Sequence, residues 1–133
     1  MDKTFHAAME EDALRNISSI GLAHLGDAVF ELLVRSMLCK QGKETGKGLH
    51  RATVALVCAP AQAKFSEKIL SELTEEEHDV FRRGRNANVH RIPVGASRAD
   101  YQKATALEAL LGWLYLKGRR DRIVFLFSRM MEE

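Results

Sequence analysis

Two acidic side chains stand where acids are costly. Asp27 is set in SSIGLAHLGDAVFELLVRSMLCK and Glu108 in YQKATALEALLGWLYLKG, both otherwise apolar helical stretches. An ionised carboxylate among Leu, Val and Ala is expensive to desolvate unless a cation, a metal or a set of hydrogen bonds compensates. Two such acids predict one shared cation. If their helices pack by the acidic faces, the paired carboxylates suit Mg²⁺, which takes oxygen ligands and keeps waters for substrate phosphates. The competing reading makes each acid a structural carboxylate that pairs with an arginine, Arg35 or Arg98, or caps a neighbouring helix. Glu31 is one turn from Arg35 and reads as an i,i+4 ion pair. His24 reads as a packing or partner histidine.

The elements that must position these acids are helices. Leu22, Leu25, Val29, Leu32, Leu33 and Met37 recur at helical spacing between Ser18 and about Lys40, which predicts one long helix. His24, Asp27 and Glu31 fall within a sector of about 60° opposite that stripe. Ile17, Ile20 and Ala28 share the acidic side, so something is expected to cover it. Gly42, Gly46 and Gly48 break the helix, a short helix covers Leu49 to Val57, and Ala59-Pro60 opens another to about Leu70. Thr74 with Glu75, Glu76 and Glu77 is a capping box opening a helix that closes near Gly84. The stretch from Arg85 to Gly95 reads as a loop. Ser97 with Asp100 caps a helix reaching Lys117, Gly118 ends it, and Arg119 to Met131 forms a last amphipathic helix. Glu108 shares a side with Tyr101, Thr105, Gly112 and Tyr115, and small Ala104 and Gly112 permit close helix approach there. The expected fold is all-α, one domain over 1–133.

With 133 residues, 46% apolar and 29% charged, the composition is that of one ordinary globular domain. A net charge of +2 is too small to indicate nucleic acid by itself, so the distribution of charge decides. The tract VFRRGRNANVHRIPVGASRA, Val80 to Ala99, holds five arginines and no acid. Arg82, Arg83, Arg85, Arg91 and Arg98 offer planar forks for phosphate oxygens, and Gly84, Asn86, Asn88 and Gly95 suit a loop that brings backbone amides close. The alternative is a solvated basic loop balanced by the preceding glutamates. Lys43, Lys47, His50 and Arg51 form a weaker basic group. Neither loop holds aromatic residues, which favours duplex backbone recognition over base stacking. Cys39 and Cys58 lack metal or redox spacing and read as core thiols. The acidic N-terminus carries no apolar leader and no membrane span is evident, so a cytoplasmic protein is expected.

Leu25-Gly26-Asp27-Ala28-Val29 resembles the signature of ribonuclease III catalytic domains, and Glu108-Ala109-Leu110-Leu111-Gly112 resembles their second acidic motif. With GLAHLGDAVFELLVR, the RRGRNA segment and TALEALLGWLYL in that order, and no double-stranded RNA-binding domain following, the chain is similar to the Mini-ribonuclease III family. The resemblance implies a homodimeric, Mg²⁺-dependent endonuclease for double-stranded RNA, maturing precursor ribosomal RNA (23S) with a ribosomal protein as helper. It assigns Asp27 and Glu108 as catalytic metal ligands, and Arg82, Arg83, Arg85, Asn86, Arg91 and Arg98 as the RNA-binding set. Glu31, His24 and Thr105 fall at the edge of the site. Full-length ribonuclease III enzymes carry a glutamate one turn before Asp27 and an aspartate three residues before Glu108. Here these positions are Ala23 and Thr105, which leaves the metal count open. The apolar face around Ile17, Ile20 and Phe30 is the expected dimer surface.

Two rival classes remain. His50, His78-Asp79 and Asp100 superficially imitate a His-Asp metal phosphohydrolase, although His78-Asp79 follows three glutamates at a charged helix start. The other rival is a non-catalytic RNA-binding or interaction module on the same fold.

Overall fold

Side-chain caps fix where three of the helices begin. The Ser18 hydroxyl accepts from the Gly21 amide at 3.0 Å, and the Ser97 hydroxyl accepts from the Asp100 amide at 3.1 Å. Thr74 and Glu77 form both halves of a capping box, so the two orphan amides at that helix start are satisfied locally. The computed structural model describes residues 8–42, 45–87, 92, 94–95 and 97–133. Within them the order is α1 Glu11–Arg15, α2 Ser19–Gln41, α3 Gly46–Val57, α4 Ala59–Ile69, a 3₁₀ turn Leu70–Glu72, α5 Glu75–Arg85, α6 Arg98–Leu116 and α7 Arg120–Met131. No strand occurs among the described residues, and no helix is long and apolar enough to cross a membrane.

The architecture is organised around α6, which packs against α2, α4, α5 and α7. Between Ala104 and Leu114 every residue of α6 is buried except Glu108. A helix that is apolar all round belongs at the centre of a bundle, so the exception is conspicuous. Phe30 of α2, fully buried, ties the layers together through tilted and edge contacts with Phe65 of α4 and Phe127 of α7, both at 6.1 Å between ring centroids.

Several expectations from the sequence change here. The core-facing side of α2 is Leu22, Ala23, Gly26, Phe30, Val34 and Leu38, rotated from the expected leucine stripe. Leu32 is 62% exposed, whereas Phe30 belongs to the core and to no outer apolar face. Small Ala23 and Gly26 are what the neighbouring helix needs, and close backbone approach overrides the larger side chains in choosing the buried face. Gly46 and Gly48 lie within α3, not in a break before it. α5 extends to Arg85, and Gly84 is a buried helix glycine at which a Cβ would meet the Ala106 Cα at 2.9 Å, so it serves packing against α6 and not phosphate approach. Cys39 and Cys58 are exposed free thiols, outside the core. The short α1 had no signal beyond its acidic start. Arg91, Asn88, Lys43 and Pro93 lie outside the described residues.

Candidate active site

Glycine brings the two acids together. A Cβ at Gly26 would fall 1.6 Å from the carbonyl oxygen of Glu108, and one at Gly112 would fall 2.0 Å from the carbonyl oxygen of Leu22. At both places only hydrogen fits, so α2 and α6 cross with backbone against backbone. Asp27 follows the first glycine, and the backbone that Gly26 meets is that of Glu108 itself. The two carboxyl groups are consequently close enough to interact. Asp27 is exposed and Glu108 half-buried, which revises the expectation that both are sunk in apolar surroundings.

Burial pushes the Glu108 carboxyl up to about 8, against the lowering effect of the hydrogen bond from Gln62, and the neighbouring Asp27 carboxyl raises it further. A carboxyl buried beside a second acid behaves in this way, and a divalent cation could compensate the pair's charge. Mg²⁺ suits this donor set, because two carboxylates leave most of an octahedral shell to water and phosphate oxygens. Among the described residues no group of three or more His, Cys, Asp and Glu is placed to hold a metal. The side chains at Ala23, buried, and Thr105, whose hydroxyl donates to the Tyr101 carbonyl at 3.0 Å, add no carboxylate.

Of the remaining predicted residues, Glu31 is half-buried and pairs with Arg35 at 2.7 Å, the i,i+4 pair its spacing implied. His24, Ile20 and Ala28 are exposed while Ile17 packs partly against the core, so the described residues cover the acidic side of α2 only in part. Arg82 and Arg83 both pair with Asp79, the latter at 3.0 Å, so the acid just before the basic tract neutralises part of it. Arg85 ends α5, Asn86 is its C-terminal cap and Arg98 opens α6, all three exposed. The His-Asp arrangement does not assemble: His50 and His78 are exposed, Asp79 is engaged by arginines, and Asp100 sits in the first turn of α6.

Two functional-looking polar residues had no clear signal in the sequence. Gln62, 2% exposed on α4, donates its amide to the Val57 carbonyl at 2.8 Å and to Glu108 Oε2 at 3.2 Å, while its own Oε1 is buried without a partner. Its only hint is the run of small residues around it, Ala59, Ala61 and Ala63. A cavity of about 440 Å³ opens beside Glu108, lined in part by Gln62, Tyr101 and Ala104. Glu77, read only as part of the Thr74 capping box, is 1% exposed. Its carboxylate takes two bonds of 2.8 Å from Arg122, joining α5 to α7. Burial opposes its ionisation, yet the Arg122 and Thr74 hydrogen bonds hold it below the ordinary glutamate range. That acid is structural.

The ribonuclease III domain model matches residues 21–119, a span containing both acids and Gln62. Among curated proteins, the Mini-ribonuclease 3 of Symbiobacterium thermophilum is 45% identical over 102 residues, covering 77% of this chain and 78% of that protein. The Mini-ribonuclease 3 of Gloeobacter violaceus is 45% identical over 115 residues, covering 86% and 83%. A crystal structure of a protein from Fusobacterium nucleatum superimposes with a TM-score of 0.83 at 31% identity, covering 90% of this chain and 97% of that one. With its two acidic motifs meeting at a pair of glycines on this bundle, the chain belongs to the ribonuclease III domain family, among the endoribonucleases of the Mini-ribonuclease 3 group.

Proposed function

We propose that this protein is a homodimeric, Mg²⁺-dependent, cytoplasmic endoribonuclease that hydrolyses phosphodiester bonds in double-stranded RNA, with precursor 23S ribosomal RNA as its natural substrate. The observation that carries the reading is the Asp27–Glu108 carboxyl pair, held at one place by Gly26 and Gly112. Asp27 and Glu108 are the catalytic residues and cation ligands. Bound Mg²⁺ supplies positive charge for the scissile phosphate and lowers the pKa of an attacking water. The protein's part is to hold two carboxylates at fixed separation on crossed helices, so no rearrangement is needed when charge develops. Arg85 and Arg98, exposed at the end of α5 and the start of α6, with Arg82, Arg83, Asn86 and Arg91, supply the phosphate contacts.

Ile20, 46% exposed, leaves a large apolar side chain outward on the side of α2 that bears Asp27. A two-fold partner seated there covers it and offers a second site to the opposite strand. Affinity from one small domain is modest and salt-sensitive, which fits assistance by a basic ribosomal protein on the same RNA. The test is incubation of a long duplex RNA at low salt with and without Mg²⁺, beside Asp27→Asn and Glu108→Gln. Fragments that need Mg²⁺ and vanish in both variants are expected. Cleavage surviving in both variants overturns the site, and RNA binding without cleavage by the wild type indicates a non-catalytic module.

A further inference from the structure

Gln62 makes an unusual use of a buried amide. Both hydrogens of its Nε2 are committed, one to the Val57 carbonyl at the C-terminal end of α3 and one to Glu108 Oε2. The opposite orientation of the amide sets its oxygen against a carbonyl and a carboxylate, two acceptors, so the chemistry of the neighbours dictates the orientation. The consequence is that Oε1 is buried with no partner among the described residues, a defect that lowers stability. An apolar side chain on α4 would avoid that cost. Local rules broken in this way concentrate where a site needs them.

Glu108 carries more torsions than Asp27, and a half-buried glutamate on the edge of a cavity of about 440 Å³ has room to turn away. What ties its carboxyl to α4 is the Gln62 amide, which donates to Glu108 Oε2 at 3.2 Å, and an amide donor suits a carboxylate. We propose that Gln62 is a positioning residue of the cation site: by bridging the Val57 carbonyl and Glu108 Oε2 it fixes the Glu108 carboxylate toward Asp27, at the expense of its own oxygen. The inference rests on the reading of Asp27 and Glu108 as cation ligands.

The test measures Mn²⁺ binding to the full chain without RNA, by the loss of the free-ion paramagnetic resonance signal, so that no readout depends on catalysis. Wild type, Asp27→Asn, Gln62→Met and Ser66→Ala are compared, with thermal midpoints recorded in chelator. Ser66 is a fully buried residue of the same helix, bonded to the Ala63 carbonyl, and reports what destabilising α4 alone does. Gln62→Met is expected to weaken Mn²⁺ binding about 10- to 100-fold, while Ser66→Ala binds like wild type at a comparable or lower thermal midpoint. Unchanged affinity in Gln62→Met, or equal loss in Gln62→Met and Ser66→Ala, overturns the positioning role and leaves the proposed function standing. Failure of the wild type to bind, or binding unaffected by Asp27→Asn, overturns both. If Gln62→Met does not fold, Gln62→Asn replaces it: its amide is too short to bridge Val57 and Glu108, so weakened binding supports the role and wild-type affinity overturns it.

Discussion

At the scale of single residues, burial and the neighbouring Asp27 charge hold the Glu108 carboxyl well above the ordinary glutamate range, and this gives it a measurable signature. Glu108 is raised in the folded protein by burial first and by Asp27 beyond that. The folded state therefore holds the proton more tightly than the unfolded chain. Its stabilising contribution is complete below the ordinary glutamate value and is lost as pH rises through about 8. In chelator, the thermal midpoint is expected to fall between about pH 5 and about pH 9 by an amount that Glu108→Gln abolishes. Parallel pH curves for the two proteins would count against the raised Glu108 carboxyl. Asp27 and Glu108 were legible in the sequence because acids interrupt apolar helices at both places. Glu77 and Gln62 were not, since one stands in a run of glutamates and the other among alanines, and nothing local distinguishes a buried polar group from a solvated one.

At the scale of helices, the elements themselves were legible through Ser18, Thr74 and Ser97, whose hydroxyls cap as their sequence context implies. Which side of α2 faces inward was not. Leucine spacing favoured a stripe containing Leu32, while the real contact is chosen by where a partner backbone can touch, and only Gly26 and Gly112 permit it. Gly26→Ala tests this directly. The added methyl must displace the Glu108 carbonyl, so a loss of about 3 kcal/mol or more in chemical denaturation is expected, together with loss of cation binding in whatever fraction stays folded. A variant of wild-type stability would mean that the helices cross elsewhere.

At the scale of the whole molecule, two measurements address the exposed arginines and the exposed apolar side chain of Ile20. Arg85 is exposed and forms no ion pair among the described residues, whereas Arg82 and Arg83 lean on Asp79. Arg85→Ala is expected to reduce the slope of log affinity for duplex RNA against log salt by about one, and an unchanged slope removes Arg85 from the interface. Sedimentation should show a dimer that Ile20→Lys converts to monomer with its helical content intact. A wild-type monomer would remove α2 from the interface. The backbone contact between α2 and α6 carries one more implication. The acids leave the chain at the point where two core helices touch, so separating them means taking the bundle apart. A site built this way needs no movement of α2 against α6 to bring its carboxyls together. A cation that entered it would meet ligands already set, like a lock whose pins were cast in place.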